Sequence, residues 1–294
     1  MQDFRDKVAV ITGAGSGFGR EFARIGVELG MRVVLADVQA DALAQVEAEL
    51  RAAGGAIDSM TVDVADNTQV ARLAHLAYER CGDVHLLFNN AGVGGGGYLW
   101  ESSETDWQWV IGVNLMGVVH GIRHFVPRML TAEQSGQPAH IVNTASMAGY
   151  LCPPLMGVYN VSKHAVVALT ETLYHDLQLA QSRIGVSVLC PAFVPTGIAQ
   201  SQRNRPASLR DEGGFTASQR AAQSQVVKAV AAGKVTARDV ALLTFDAIRA
   251  NRFHIFSHPQ ILPSLRARFD STLAQSAPAD PFAGKTAVRP GTPL

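Results

Sequence analysis

Two side chains with complementary proton chemistry stand one helical turn apart in the stretch "GVYNVSKHAVVAL", residues 157–169. Tyr159 carries a phenol and Lys163 an ammonium group, and residues four apart lie on one face of a helix. A free phenol has a pKa near ~10, and a neighbouring cation favours the phenolate and lowers that pKa. The spacing therefore predicts a tyrosine that moves a proton at neutral pH.

A glycine-rich turn, "TGAGSGFG", joins a predicted first strand to a predicted first helix. Gly13, Gly17 and Gly19 do not fit the spacing G-x-G-x-x-G, because residue 18 is Phe18. Glycine nevertheless permits a tight turn and close backbone approach, and a helix N-terminus offers free N–H groups to a pyrophosphate. The turn predicts a dinucleotide site, and the alternative is a plain turn.

Acidic residues stand at the ends of the second and third predicted strands. Asp37 can accept hydrogen bonds from ribose hydroxyls and would repel a 2′-phosphate, and Val38 follows it with no adjacent Arg or Lys. This favours NAD over NADP, the alternative being a surface acid at a strand end. Asp63 and Val64 could hold adenine or could simply end a strand.

Apolar runs alternate with helical patterns along the chain. The runs are continuously apolar, which is typical of a parallel sheet covered on both faces. Predicted strands are 7–13, 32–38, 59–64, 84–90, 139–146, 185–192 and 253–258, and helical patterns lie at 17–29, 39–53, 67–81, 104–131, 158–180 and 236–251. This order predicts an α/β fold of Rossmann type: a doubly wound parallel sheet of about seven strands, with helices on both faces and a site at the strands' carboxyl ends.

Two regions depart from this alternation. The polar segment 201–219 follows the sixth strand and is predicted to be a mobile lid, covering about residues 198–220, rather than a linker. Residues 276–294 are rich in Pro, Ala and small polar residues, so they are predicted to be poorly ordered or to lie on a neighbouring subunit. Residues 1–275 are predicted to form a single catalytic domain.

The composition argues against several classes of protein. Hydrophobic residues make up 47% and charged residues 17% of the chain, which is typical of a globular protein. Because 25 basic and 25 acidic residues balance, nothing suggests a nucleic-acid partner. Cys81, Cys152 and Cys190 are odd in number and widely spaced, so three reduced, mostly buried thiols are expected rather than disulfides or a metal site.

The N-terminus and the apolar stretches indicate where the protein is located. The segment "MQDFRDKVAV" lacks the apolar region of a signal peptide. No apolar stretch reaches ~18 residues without a charge, so no membrane span is expected. A cytoplasmic location is the simplest interpretation.

Taken together, the motifs resemble those of the classical short-chain dehydrogenases/reductases over about residues 5–258. The resemblance rests on "TGAGSGFG", "NNAG" at 89–92, Asn114 in "GVNLMG", Ser146 in "NTASMAG", and Tyr159 with Lys163, in the family's order and spacing. Singly, such a Tyr or Ser is most often a packing or capping residue. Four polar residues in this register instead indicate one active site.

The resemblance implies a role for each of the four residues. Tyr159 would be the general acid/base, and Lys163 would tune it and hold the nicotinamide-ribose hydroxyls. Ser146 would hydrogen-bond the substrate oxygen. Asn114 lies within a helical pattern although Asn is a poor helix former; it would distort the helix and anchor a water that leads to Lys163. His164 faces about ~100° away from Lys163 and is interpreted as structural.

Cofactor and substrate contacts follow from the same resemblance. The expected cofactor-binding residues are Gly13, Ser16, Gly17, Phe18, Gly19, Asp37, Val38, Asp63, Val64, Asn90, Ala91, Gly92, Tyr159, Lys163, Pro191, Val194 and Thr196. Thr196 is expected to meet the carboxamide. The family commonly has Pro-Gly where this chain has Pro191 and Ala192.

The expected substrate pocket is apolar and has no charged clamp. Substrate contacts are assigned to Ser146, Met147, Cys152, Tyr159 and Phe193, with Tyr150, Leu151 and Met156 nearby. Such a lining favours a hydrophobic, bulky or aryl secondary alcohol or ketone, interconverted with NAD. Two alternatives are an NADP-dependent carbonyl reductase, which Asp37 disfavours, and a non-catalytic dinucleotide-sensing protein, which the Asn–Ser–Tyr–Lys set disfavours.

A homo-oligomer, tetramer or dimer, is also expected. The helical patterns at 104–131 and 158–180 carry apolar residues on more than one face, among them Val118, Val119, Ile122, Val166, Val167 and Leu173. Since one sheet face cannot bury them all, a partner subunit should cover the rest.

Overall fold

A computed structural model describes residues 1–211 and 213–281. Within them, the strands are β1 (Val8–Thr12), β2 (Arg32–Asp37), β3 (Ala56–Thr61), β4 (Leu86–Asn89), β5 (His140–Thr144), β6 (Gly185–Cys190) and β7 (His254–Phe256). The α-helices of the same residues are α1 (Gly17–Glu28), α2 (Ala40–Ala52), α3 (Asn67–Cys81), α4 (Glu104–Ile111), α5 (Gly117–Gln134), α6 (Gly157–Leu179), α7 (Ala217–Ala231), α8 (Ala237–Arg249) and α9 (Leu262–Leu273).

In the described part of the chain, all seven strands form one parallel sheet in the order β3-β2-β1-β4-β5-β6-β7. The strand order reverses between β1 and β4, and the carboxyl ends of strands at such a reversal form a crevice. The predicted Rossmann-type architecture is therefore confirmed, and the glycine turn after β1 lies at the predicted edge.

Both faces of the sheet are buried, which explains the continuously apolar strands. In β1, Ala9 and Ile11 join the core that contains Phe22 of α1. Val8 and Val10 alternate with them and join the opposite core, which α3, α5 and α6 cover. Alternate side chains of a strand point to opposite faces, so a strand between two helix layers is apolar at every position.

The third strand lies earlier in the chain than the sequence predicted. It covers 56–61 instead of 59–64, because it pairs in register with β2 and ends beside Asp37. Asp58 interrupts the apolar run in the sequence, so the start of the strand was missed. In the structure its carboxylate forms an ion pair with Arg32 at 2.9 Å. Asp63 and Val64 consequently lie in the loop after β3.

The long helix predicted at 104–131 is interrupted. A π-helical turn, Gly112–Met116, separates α4 from α5. By length and composition alone, the stretch Glu104–Gln134 could cross a membrane, but half of its most apolar window is buried in the fold. There α5 packs on α3, and α4 packs on α6, as expected of core helices.

Helices α7 and α9 were not predicted. Only Ser218, Ala222 and Val230 of α7 are buried, and no residue of α9 is, so neither carries a marked apolar stripe. The segment predicted to be a lid, about residues 198–220, is helical from Ala217 onward. Of the predicted tail, residues 276–281 are described, and 282–294 lie outside the described residues.

Two burial expectations are wrong in part. Cys190 is buried, but Cys152 is exposed because it lies on the loop between β5 and α6. The apolar residues Val118, Val166, Val167 and Leu173 are buried within this one chain. Residues of β6 and of the loop after β5 pack against the first three, and Leu173 joins the core beneath the sheet. The large apolar side chains of α6 and of the π-helical turn that remain exposed are Met116, Val161, Tyr174 and Leu179.

Candidate active site

The turns after β1 and β4 are tied together by Thr12 and Asn90. The Thr12 hydroxyl accepts hydrogen bonds from the backbone N–H groups of Asn90 (2.9 Å) and Ala91 (3.1 Å). The Asn90 amide in turn donates to the Thr12 carbonyl at 2.9 Å. Sequence reasoning assigned no role to Thr12, although it is the first residue of the glycine turn. These bonds hold the two turns at one side of the crevice.

Gly19 is required by close packing within the turn. A Cβ atom at this position would lie 2.1 Å from the Gly13 carbonyl oxygen and 2.9 Å from the Asn90 side chain. Only glycine allows α1 to begin this close to β1. Gly19 is thus a packing residue of the turn and does not line the cavity described below.

Asp37 ends β2 with its carboxylate turned back toward the glycine turn. One oxygen accepts from Gly15 N–H at 2.8 Å, and the other accepts from Gln39 N–H at 2.9 Å. Each carboxylate oxygen has a second acceptor site, so a ribose diol could still bind. Val38, which is 43% exposed, and the loop residues Asp63 and Val64 line the cavity beside Asp37.

The π-helical turn places Asn114 at the centre of the site. Its amide nitrogen donates to the Val93 carbonyl and to the Ser162 hydroxyl, both at 3.0 Å, and its oxygen accepts from Val93 N–H at 2.8 Å. Ser162 donates to the Tyr159 carbonyl at 2.8 Å. Asn114 is fully buried and thus connects the loop after β4 to α6. The distortion that the resemblance implied is present.

Tyr159, Lys163 and Ser146 come together at the other end of the cavity. Lys163 is 3% exposed; its Nζ donates to the Thr144 carbonyl at 2.9 Å and lies 5.8 Å from the centre of the Tyr159 ring. Ser146 lies two residues beyond β5 and donates to the Pro191 carbonyl at 3.3 Å, and its hydroxyl is near enough to lower the pKa of the Tyr159 phenol in part. The i,i+4 spacing and the turn after β5 therefore build one polar cluster.

The pKa of Tyr159 was expected to be lowered by Lys163, but in this structure it is raised. Burial raises the pKa of the Tyr159 phenol above its ordinary value, although the hydrogen bond with Ser146 lowers it in part. Burial also lowers the pKa of Lys163 to about 8. Desolvation disfavours the charged forms of both groups. Since its pKa lies above the ordinary value, the Tyr159 phenol is protonated at neutral pH.

A continuous cavity of about 460 Å³ joins these features. Of the expected cofactor residues, it is lined by Gly13, Ser16, Gly17, Phe18, Asp37, Val38, Asp63, Val64, Asn90, Ala91, Gly92, Tyr159, Lys163, Pro191, Val194 and Thr196. Of the expected substrate residues, Ser146, Met147, Tyr159 and Phe193 line it too. The structure thus brings nearly the whole expected set to one surface.

Two apolar residues expected near the substrate lie elsewhere. The thiol of Cys152 is turned away from the cavity, with its sulfur 3.8 Å from His164 Nε2. The buried Tyr150 directs its hydroxyl to His254 Nδ1, at 2.9 Å. Loop residues between a strand and a helix can face either way, and the sequence carried no signal for the direction.

Sequence reasoning missed several lining residues. Trp109 and Val110 of α4, Ala222, Val226 and Val230 of α7, and Ile261 and Pro281 of the C-terminal segment all face the cavity. The glycine run 94–97 is a packed wall and not an open loop: a Cβ on Gly96 would lie 2.7 Å from that of Ala222. Glycine here lets α7 approach the loop after β4.

The segment predicted to be a lid is bound to α4 by one buried arginine. Arg205 is 5% exposed, and its guanidinium donates to the Asp106 carboxylate at 2.6 Å and to the Thr105 hydroxyl at 3.0 Å. It also reaches Asp211 of the lid at 3.2 Å. The other Asp106 oxygen accepts from Gln219 of α7 at 3.0 Å. Lid, α4 and α7 therefore meet at a single carboxylate, and charge-assisted bonds of this kind are strong.

We expect the lid to exchange its amide hydrogens quickly without ligand and more slowly with cofactor and substrate. Gly213 and Gly214 next to it have open space around them, which permits movement. Hydrogen exchange over 197–211 measures this. Arg205→Ala should abolish the slowing, whereas Arg210→Ala, at an exposed neighbour, should preserve it. Equally strong protection with and without ligand would contradict a lid.

The residues present fit a dinucleotide. The cavity runs from an oriented carboxylate, past a glycine turn at the N-terminus of α1, to a buried amine and a phenol. Backbone N–H groups at such a turn suit a pyrophosphate, and the carboxylate suits a ribose diol. Among the described residues, no group of three or more His, Cys, Asp or Glu side chains could hold a metal ion.

Comparison with known proteins gives consistent matches over most of the chain. Residues 7–207 match the short chain dehydrogenase family. A crystal structure of a short chain dehydrogenase/reductase from Burkholderia phymatum in complex with NAD is 58% identical; the match covers 95% of this chain and 99% of that chain, with a TM-score of 0.93.

Two curated relatives are also similar along most of their length. The 1-deoxy-11-beta-hydroxypentalenate dehydrogenase of Streptomyces exfoliatus is 36% identical over 266 residues, which cover 90% of this chain and 87% of that protein. The C alpha-dehydrogenase of Sphingobium sp. strain SYK-6 is 32% identical over 281 residues, covering 95% of this chain and 90% of that protein.

Proposed function

Because the chain belongs to the short-chain dehydrogenase family, we propose that it is an NAD-dependent enzyme that interconverts a hydrophobic, bulky or aryl secondary alcohol and its ketone. Family membership makes the chain an oxidoreductase acting on CH–OH groups. The choice of NAD, the class of substrate and the roles of individual residues are the parts that we propose.

One observation carries the proposal: a single cavity is lined by Asp37 at one end and by Ser146, Tyr159 and Lys163 at the other. In a Rossmann-type crevice, an acid at the end of the second strand meets the adenosine ribose and the pyrophosphate lies at the first helix N-terminus, so the nicotinamide would lie toward the polar cluster. A sensing protein would need the first end only. The polar cluster at the second end therefore favours catalysis over sensing.

The chain's own residues would act on the substrate oxygen. Ser146 and Tyr159 line the same end of the cavity, so an oxygen bound there would meet both hydroxyl groups. Tyr159 would give its phenolic proton to the ketone oxygen during reduction and, as the phenolate, would take the alcohol proton during oxidation. Bound NAD would supply the hydride acceptor at its nicotinamide ring. Lys163 would hold the adjoining ribose hydroxyls, and its positive charge would oppose the burial that raises the pKa of Tyr159.

Apolar side chains around the polar cluster support a hydrophobic substrate. Met147, Leu151 and Phe193 line the cavity beside Ser146, and Trp109 with Val226 lines it from α4 and α7. Burying such surface gains about 25 cal/mol per Å² of apolar area removed from water. A bulky or aryl group on the carbinol carbon would fill this space.

The proposal is tested by incubating the purified protein with secondary alcohols and NAD, and with ketones and NADH, while following the absorbance of the reduced nicotinamide. Aryl and bulky alkyl compounds should be turned over faster than short polar ones, and each reaction should require the matching cofactor. Failure to oxidise or reduce any member with either NAD or NADP would contradict the proposed function.

An NADP-dependent reductase is the competing possibility within the family. Arg32 and Arg51 are the basic residues nearest Asp37 in sequence, but Arg32 pairs with Asp58 and Arg51 with Glu47. Neither is free to neutralise a 2′-phosphate. The charges around Asp37 therefore support NAD over NADP.

We further expect the protein to be a homo-oligomer, a tetramer or a dimer. Val161 (45% exposed), Tyr174 (38%) and Leu179 (86%) are large apolar side chains of α6 that remain exposed, as does Met116 (36%) on the π-helical turn. A partner subunit would remove this surface from water. Light scattering at micromolar concentration should give a multiple of the chain mass of 31.3 kDa. A particle of the single-chain mass would contradict the expectation.

A further inference from the structure

We propose that the C-terminal segment 259–281 forms a wall of the substrate cavity and that Ile261 limits the size of the alcohol or ketone accepted. This inference rests on the proposed function. The segment follows β7 and consists of a 3-10 turn at Pro259–Ile261, helix α9 and the residues up to Pro281. Ile261 and Pro281 both line the cavity, so the chain returns to it after α9.

Ile261 lies at the reacting end of the cavity. Its side chain, with that of Leu265, packs against the apolar cluster that contains Met147 and Leu151. Both of those residues line the cavity, and Met147 directly follows Ser146 in sequence. The wall therefore stands beside the space for the substrate's carbon skeleton, and not beside Asp37.

Core stability does not explain this segment. No residue of α9 is buried, and its apolar side chains Phe269 and Leu273 are 52% and 82% exposed. A helix that buries so little apolar surface adds little to the stability of the fold. Its contacts with other elements include those of Arg268 with Tyr150 and His164 and that of Leu265 with the cluster that contains Met147.

Arg268 fastens α9 to the catalytic region. Its Nη1 donates to the Tyr150 carbonyl and to His164 Nε2. His164 Nδ1 lies 2.9 Å from the Asn160 carbonyl and must donate there, which leaves Nε2 as the acceptor. Burial keeps the pKa of His164 below its ordinary value, consistent with a neutral ring. Since His164 adjoins Lys163, the wall is held in a fixed position relative to the polar cluster.

A side chain in a fixed wall selects substrates by size. One methylene group more or less in an apolar pocket changes the specificity ratio by roughly 10–200-fold. Ile261→Ala removes three carbon atoms from the wall and should favour larger ketones. Ile261→Phe adds volume and should favour smaller ones.

The functional test compares kcat/KM for acetophenone and for 4-phenylacetophenone, which differ by one ring. Ile261→Ala should shift the ratio toward the larger ketone by about tenfold or more, and Ile261→Phe should shift it the other way. Leu262→Ala is the matched control, because Leu262 is 37% exposed and is absent from the cavity lining among the described residues. It should leave the ratio within about twofold. Ratios for both Ile261 variants equal to that of the control would overturn the proposal.

A structural test does not depend on turnover. Arg268→Ala should speed hydrogen exchange in α9 and in residues 147–151. Arg266→Ala should not, since Arg266 is 85% exposed and lies 3.9 Å from its one ion-pair partner in the described residues, Asp270. Unchanged exchange in Arg268→Ala would overturn the fixed wall. If the wild-type protein turns over no alcohol or ketone, the proposed function fails, while this exchange result still decides whether the segment is held against the cavity.

Discussion

Replacing Tyr159 with Phe is expected to lower kcat by about 100-fold or more while NADH still binds. Phe keeps the aromatic ring and its packing but removes the hydroxyl that would exchange a proton with the substrate oxygen. Ser146 would remain to orient that oxygen. Burial raises the pKa of the phenol in this structure, so Tyr159 carries a proton at neutral pH that the Phe variant lacks.

Tyr150→Phe is the matched control for this experiment. Tyr150 lies nine positions earlier, and its hydroxyl bonds to His254 away from the cavity. Its kcat should stay near that of the wild type. NADH binding, followed by the fluorescence of the reduced nicotinamide, should be similar in all three proteins. Ketone reduction by Tyr159→Phe at nearly the wild-type rate would show that another group moves the proton.

Replacing Asp37 with Ser is expected to weaken NAD binding and to raise NADP use relative to NAD by about tenfold. A 2′-phosphate placed ~4 Å from the carboxylate, at an effective dielectric constant of ~20, would be opposed by about 4 kcal/mol for each pair of like charges. Movement and screening reduce that figure, but even ~1.4 kcal/mol is a tenfold preference. Steady-state kinetics with both cofactors give the ratio.

Two further variants separate charge from structure at this position. Asp37 also accepts hydrogen bonds from Gly15 and Gln39, so its loss will loosen the turn for both cofactors. Asp37→Asn keeps the shape and removes the charge, and should improve the NADP/NAD ratio as well. Asp41→Ser removes an exposed carboxylate in the first turn of α2 and should leave the ratio unchanged. A wild-type preference for NADP, or a ratio unaltered in Asp37→Ser, would assign the choice to another residue.

Local sequence patterns were sufficient to predict the strands of the sheet and the residues of the polar cluster. Strands such as β1 and β6 are buried at every position and mostly apolar because helices cover both faces, so their signal survives in the sequence. Tyr159 and Lys163 are placed by helix geometry alone, which fixes residues four apart on one face. The turn after β1 follows from glycines that only a tight, closely packed backbone requires.

Features that depend on distant residues could not be predicted in this way. Arg205 is held by Asp106, which lies 99 positions earlier, and nothing near either residue indicates the pair. Helices α7 and α9 lack an apolar stripe, since they cover a cavity rather than fill a core. The direction of Cys152 and the lining by Ile261 depend in the same way on how the segments meet.

The sequence by itself determined the parallel sheet, its crevice, and which residue types stand at the strand ends, because each follows from spacing along the chain. Only the tertiary structure decided how deeply those residues are buried and what surrounds them. Burial reverses the expected shift of the Tyr159 pKa and lowers that of Lys163 to about 8. The physical reason is that desolvation depends on all atoms packed around a group, most of which come from elements far away in sequence.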